Sequence, residues 1–217
     1  INNNYHKRYN SLWQCLPLFI NGFLIMAIYN APKNAIDLCT ERGFVQAGIQ
    51  TDYNIIFMPA SVINLFLIFL RPFMTQMAYA RTQKNDRNFY KMLRKIIGGL
   101  LVFSLISIIG AYLLGIPVLE LIYSRDLVSY RTELIIIMVA GGMNSLATAL
   151  DNIVTVIRAQ HILVFSYLFA WIVVKIISYN IVKEYSLHGA VIVFLIAMLI
   201  LLITNLFILI VGLKKKK

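Results

Sequence analysis

The chain has 217 residues, of which 60% are apolar and 13% charged, with a mean hydropathy of +0.77. A soluble domain is nearer half apolar and a quarter charged, so this balance excludes a disordered chain and argues against an ordinary water-soluble enzyme. Two cysteines, one in an apolar run (Cys15) and one in a polar run (Cys39), exclude a disulfide scaffold and any metal-ligand spacing. Twenty Lys and Arg face nine Asp and Glu, a net charge of +11. That surplus suits nucleic acid or a membrane surface, and in so apolar a chain the membrane is the simpler partner. The chain opens at Ile1 with no signal-peptide cleavage pattern, which predicts a start inside a longer protein.

Six apolar stretches follow, at 12–29, 54–72, 96–116, 134–157, 162–182 and 188–213. At 1.5 Å per residue each is long enough to cross a hydrocarbon layer of about 30 Å. None alternates as a barrel strand does, so the expected fold is all-α: a polytopic six-helix transmembrane bundle in a single domain, 1–217. With the N-terminus placed inside, fourteen of the basic residues fall on inner segments, among them Lys7, Arg8, Arg81, Arg87, Arg158 and Lys214 to Lys217. The outer segments hold five basic residues and seven acids. The asymmetry predicts that both termini are cytoplasmic.

The first stretch is followed by Asn30-Ala31-Pro32-Lys33-Asn34-Ala35-Ile36-Asp37. Asn ahead of Ala-Pro reads as a helix start, which predicts a short capped helix at the outer surface or a restart of the first helix after a kink. Lys33 and Asp37 would be neighbours one turn apart. Pro59 interrupts the second stretch. The inner segment from Phe73 to Ile96 divides at Lys84-Asn85-Asp86 into two amphipathic pieces that suit an anionic leaflet, or it is an ordinary basic loop. Gly141 and Gly142 lie inside the fourth stretch. Pro59 and these two glycines are candidate hinges, or, for the glycines, points of close helix packing.

Two charges fall within spans, where each costs about 2.5–3.5 kcal/mol on insertion scales. Lys175 lies about 20 Å along the fifth span, and Asp151 about 9 Å from the inner end of the fourth. Lys175 either snorkels or faces a wet cavity that would hold an anion. Asp151 pairs with Arg158 or an Asn, or takes part in coupling to a cation. Asn144, Ser145, Thr148, Asp151, Asn152 and Thr155 recur at three- and four-residue spacing, a polar stripe that faces either other helices or a hydrated path. No phosphate loop, HExxH, GxSxG or His-supported carboxylate pair is present, and the three histidines are scattered at span edges, so no enzyme is expected.

The segment at Asn30 resembles the Asn-Ala-Pro-Lys-Tyr-Ala-Ile-Asp motif of bacterial oligosaccharide flippases. These form the polysaccharide-transporter branch of the multidrug/oligosaccharidyl-lipid/polysaccharide exporter superfamily. The match departs at Asn34, where the motif has an aromatic ring. Similarity continues in FMPASVINLFLIFLRPFMT from Phe57, GIPVLELIYSRDLVSYR from Gly115, Gly141-Gly142 and His188-Gly189-Ala190.

The resemblance implies a twelve-helix transporter built of two six-helix lobes, this chain being the C-terminal one and the N-terminal lobe lying upstream. Its substrate would be a polyprenyl-pyrophosphate-linked oligosaccharide, flipped across the bacterial inner membrane for surface polysaccharide synthesis. It would need membrane lipids but no nucleic acid and no cofactor, with H+ or Na+ as candidate coupling ions. Lys175 and Lys33 are the expected anion-attracting residues. Asn144, Thr148, Asp151 and Asn152 would line the path or pack the lobe. A multidrug cation antiporter of the same superfamily, a membrane-embedded polymerase or glycosyltransferase and a non-transporting membrane scaffold are the competing readings.

Overall fold

The structure, a computed structural model, describes the backbone of residues 2–83 and 85–214 and the side chains of residues 15–83 and 85–213. Among the described residues it is helical with no strand. Helix α1 runs Asn2–Glu41, α2 Ile49–Thr82 and α3 Asp86–Gly110. A π-turn at Ala111–Gly115 carries α3 into α4, Ile116–Tyr123. After a 3-10 turn at Val128–Tyr130 come α5, Arg131–Val156, and α6, Gln160–Lys214.

The α3–α4 rod, α1, α2, α5 and α6 are the five units long and apolar enough to cross a membrane. The last is too long for one crossing: 55 residues would reach about 82 Å as a straight rod. It is broken at Ser186, whose φ of 51° and ψ of −127° are not helical. The chain folds back there. Ser166 hydrogen-bonds both Thr204 and Asn205, the latter at 2.9 Å. Those residues would stand nearly 60 Å apart on one straight helix. The limbs 160–185 and 187–214 therefore lie side by side, antiparallel. Ser186 sits in a backbone region that favours glycine, at a cost of order 1–3 kcal/mol for other residues. Ser186→Gly should raise the melting temperature of the detergent-solubilised chain, by a gain of about 1 kcal/mol. A lower melting temperature would contradict this reading of the reversal.

The helices outrun the apolar stretches because the backbone ladder continues past the hydrocarbon-like segment into polar sequence. Both halves of the inner segment belong to the long rods: 73–82 ends α2 and 86–96 begins α3. They are not separate surface pieces. Asn85 caps α3 by accepting from the Asn88 N–H at 3.2 Å, while Lys84 of the expected turn and the basic residues before 15 and after 213 lie outside the described side chains. Nor does a new helix begin at Asn30. Helix α1 runs unbroken through Pro17 and Pro32 to Glu41, where Gly43, at φ 76°, lets the Phe44 N–H return to the Cys39 carbonyl at 2.8 Å.

Helix α6 packs along α1 and α5, α2 lies against α5 and α3, and α3 also touches α5. Two apolar clusters fill the bundle. One gathers Met77, Phe89, Ile96, Ile153, Leu163 and Leu209 near the connections 83–85 and 157–159. The other gathers Ile36, Tyr53, Ile56, Leu127, Leu134 and Leu187 near the opposite loops. Arg81, Arg87, Lys91, Arg94, Lys95 and Arg158 mark the first end, called the basic end below.

Candidate functional site

The polar stripe of α5 divides in two. Its upper part is a knot between helices. Asn144, 2% exposed, and Ser145, fully buried, both bond Asn64 of α2: Asn144 Nδ2 donates to Asn64 Oδ1 at 3.0 Å and Ser145 Oγ at 2.8 Å. Tyr29 of α1 donates its hydroxyl to Asn144 Oδ1 at 2.6 Å. Three helices are thereby tied through one amide. Such bonds hold helices together where no water is at hand to replace them. The backbones can approach because Gly141 faces Ala60: a Cβ on Gly141 would stand 2.8 Å from the Ala60 Cβ and 3.2 Å from its carbonyl oxygen. A Cβ on Gly142 would stand 3.1 Å from the Ser104 side chain. Helix α5 is unbroken through both glycines, and α2 is unbroken through half-buried Pro59.

The lower part of the stripe is more open. Asp151 accepts from Tyr167 of α6 through Oδ2 at 2.9 Å, a different partner from the Arg158 or Asn expected. Its Oδ1 is buried with no partner among the described residues. Thr148 and Thr155 bond their own helix, at the carbonyls of Asn144 (2.9 Å) and Asp151 (3.0 Å). Asn152 is exposed. A second knot lies close by: Asn205 Nδ2 donates to the Ala147 carbonyl at 3.3 Å while its Oδ1 accepts from Ser166. Tyr29, Tyr167, Ser166, Thr204 and Asn205 did not stand out in the sequence. The readable signal was Thr204-Asn205, an isolated polar pair in an otherwise aliphatic run.

The two candidate cations share no partner. Lys175 is exposed on α6, its Nζ 4.9 Å from the centre of the Trp171 ring one turn away. Lys33 is half-buried on α1, its Nζ 5.3 Å from the Phe57 ring of α2. Asp37 bonds not Lys33 but Gln50 of α2, at 2.8 Å. These contacts fix the orientation of a polar face. Asn30 and Asn34 of α1 and Asn54 and Ser61 of α2 are exposed beside Lys33 and Asp37, in the half of the bundle away from the basic end. Exposed amides and a lysine on two helices this apolar are costly against lipid.

An ion pair and a histidine–carboxylate hydrogen bond stitch that same end. Arg125 pairs with Asp52, and His188 Nδ1 lies 2.9 Å from Glu133 Oε1. No group of three or more His, Cys, Asp or Glu able to hold a metal is present among the described residues. Chemically, the arrangement offers hydrogen-bond donors and acceptors and two isolated ammonium groups. No family model, curated protein or solved structure matches the chain.

Proposed function

We propose that the chain is one six-crossing lobe of a bacterial inner-membrane flippase, with both limbs of α6 crossing the bilayer and the basic end in the cytoplasm. Its cargo is a polyprenyl-pyrophosphate-linked oligosaccharide, and an N-terminal lobe completes the cavity. The observation that carries this reading is the exposed polar face of α1 and α2, Asn30, Lys33, Asn34, Asn54 and Ser61, on the segment whose sequence resembles the flippase motif. A sugar pyrophosphate cannot cross about 30 Å of hydrocarbon with its polar groups unsatisfied. A wet gap bordered by amides and one ammonium removes that penalty while the polyprenyl tail stays in lipid. Lys33 and Lys175 attract the anion, and Thr148, Asp151 and Asn152 border the path lower down. The close contact of Gly141 on Ala60, next to Pro59, lets α5 slide on α2, and that of Gly142 on Ser104 lets it slide on α3.

A cation antiporter is the second reading, favoured by the unpartnered oxygen of Asp151. Leaflet-to-leaflet transfer of a fluorescent lipid-linked oligosaccharide, measured in proteoliposomes of the intact transporter, separates the two. Flipping should fall about tenfold in Lys33→Ala and in Lys175→Ala, a loss of about 1.4 kcal/mol of transition-state stabilisation. Unchanged flipping in either variant removes that lysine from the path. Dye efflux without sugar-lipid transfer would favour the antiporter.

A further inference from the structure

At the basic end, Thr155, Arg158, Gln160 and His161 line a cavity of about 570 Å³ in the turn between α5 and α6. No acidic residue lines it. Arg158, two residues past the end of α5, lies in the left-handed region, at φ 57°, and its N–H returns to the Thr155 carbonyl at 2.9 Å. The backbone is thus turned sharply, and the exposed Arg158 side chain is placed at the cavity wall. Gln160 is the first residue of α6, so the cavity meets a helix start whose first-turn N–H groups favour an anion. A second feature is independent of the helix start. Gln160 is nine-tenths buried, and its Oε1 has no hydrogen-bond partner among the described residues. Gln160 lines the cavity, and a buried amide oxygen left unpartnered calls for a donor.

Directly beyond the cavity the surface turns apolar. Ile162, Phe165, Phe169, Ile172 and Ile176 are 44–71% exposed. Their spacing puts them on one face of α6, with exposed His161 at its foot. A cationic, hydrogen-bonding cavity at the foot of an apolar track has the shape of a phospholipid: phosphate below, acyl chain above.

We propose that this cavity binds a phosphate-bearing group, the headgroup of an anionic phospholipid in the leaflet at the basic end. Arg158, His161 and the first turn of α6 hold the phosphate. Gln160 accepts from a headgroup hydroxyl, and the acyl chain follows Ile162, Phe165 and Phe169. This site lies apart from the polar face of α1 and α2 and does not depend on what crosses there.

The test titrates the full chain, purified in a nonionic detergent, with dioleoyl phosphatidylglycerol or dioleoyl phosphatidylcholine and counts retained lipid by native mass spectrometry. Phosphatidylglycerol should bind at least tenfold more tightly than phosphatidylcholine. Arg158→Asn, chosen because Asn tolerates the left-handed backbone, should remove most of that preference, and His161→Gln or Gln160→Leu about threefold of it. Arg87→Gln, on the same basic end but outside the cavity, should leave it intact. Equal binding of the two lipids overturns the proposal, as does an equal loss in Arg87→Gln, which would mean general surface charge. Competition by inorganic phosphate or glycerol 1-phosphate at the lipid's own concentration would overturn the lipid assignment in favour of a free phosphate. Helicity by circular dichroism checks each variant, and His161→Gln, at an exposed position, keeps the test decisive should Arg158→Asn not fold.

Discussion

Gly189→Val is expected to undo the fold-back of α6 and with it the bundle. A Cβ at Gly189 would lie 2.9 Å from the Ile181 carbonyl carbon and 3.1 Å from the Val182 Cα, and closer still to the Ile181 carbonyl oxygen. All three are backbone atoms of the opposing limb, so no rotamer change can make room. Overpacking of this kind costs about 1–3 kcal/mol where side chains can yield, and more where they cannot. The contrast is Gly212, where an added Cβ would stand 2.7 Å from the Ile157 Cδ1, the far end of a flexible side chain. Gly212→Ala should therefore lower the melting temperature little, and Gly189→Val by well over ten degrees. A direct readout is oxidative cross-linking of Ser166→Cys with Asn205→Cys, whose native side chains bond at 2.9 Å. The cross-link should form readily in the parent and be lost with Gly189→Val. A cross-link of undiminished yield would show that the limbs do not depend on this contact.

Gly141→Leu should separate α2 from α5. The Ala60 Cβ, Cα and carbonyl oxygen all lie within 3.3 Å of where a Cβ would stand, so α2 must retreat. That retreat would break the bonds of Asn64 to Asn144 and Ser145, each worth about 0.6–2 kcal/mol between membrane helices. The decisive version is milder. Gly141→Ala alone should destabilise the chain, and Ala60→Gly in the same molecule should restore most of the loss, with a coupling of about 1 kcal/mol between the two sites. Additive effects would mean that the two residues do not touch. Gly142→Ala meets the Ser104 Cβ and Oγ at 3.1 Å, looser than the 2.8 Å that Gly141 faces, and should be the gentler of the pair.

What the sequence disclosed follows from which forces act locally. Crossing a membrane needs a long apolar run, so the presence of long apolar helices was readable and the all-helical class with them. Their ends were not, because hydropathy reports where the apolar surface stops and not where the backbone ladder stops. Pro32 shows the same limit: Asn30-Ala31-Pro32 looks like a helix start, yet in an already formed helix a proline forfeits one hydrogen bond that neighbouring helices can compensate. The α5 stripe was visible from its spacing, but its partners were not. Asp151 finds Tyr167, sixteen residues away across a turn, and Asn144 finds Tyr29, 115 residues away. Nothing in the local pattern around Tyr29 distinguishes a knotted side chain from one that merely fills space, and the polar pair Thr204-Asn205 marks a knot without naming its partners. Lys175 was conspicuous by its charge alone, and it stands exposed beside Trp171.

Helix α5 is the most enclosed rod: 61% of its most apolar stretch is buried, against 22% for α1 and 44% for α6. It is also among the least hydrophobic, with a mean hydropathy of 1.6 in that stretch against 3.1 for α6. Emerging from the ribosome, α5 meets Tyr29 and Asn64, already made, but Tyr167 and Asn205 do not yet exist. Until the downstream segment is synthesised, Asp151 has no hydroxyl to accept from and the Ala147 carbonyl no amide to receive. The order of translation thus imposes a waiting interval in which α5 is only half provided with neighbours, and the hairpin of α6 is the closing act that completes them.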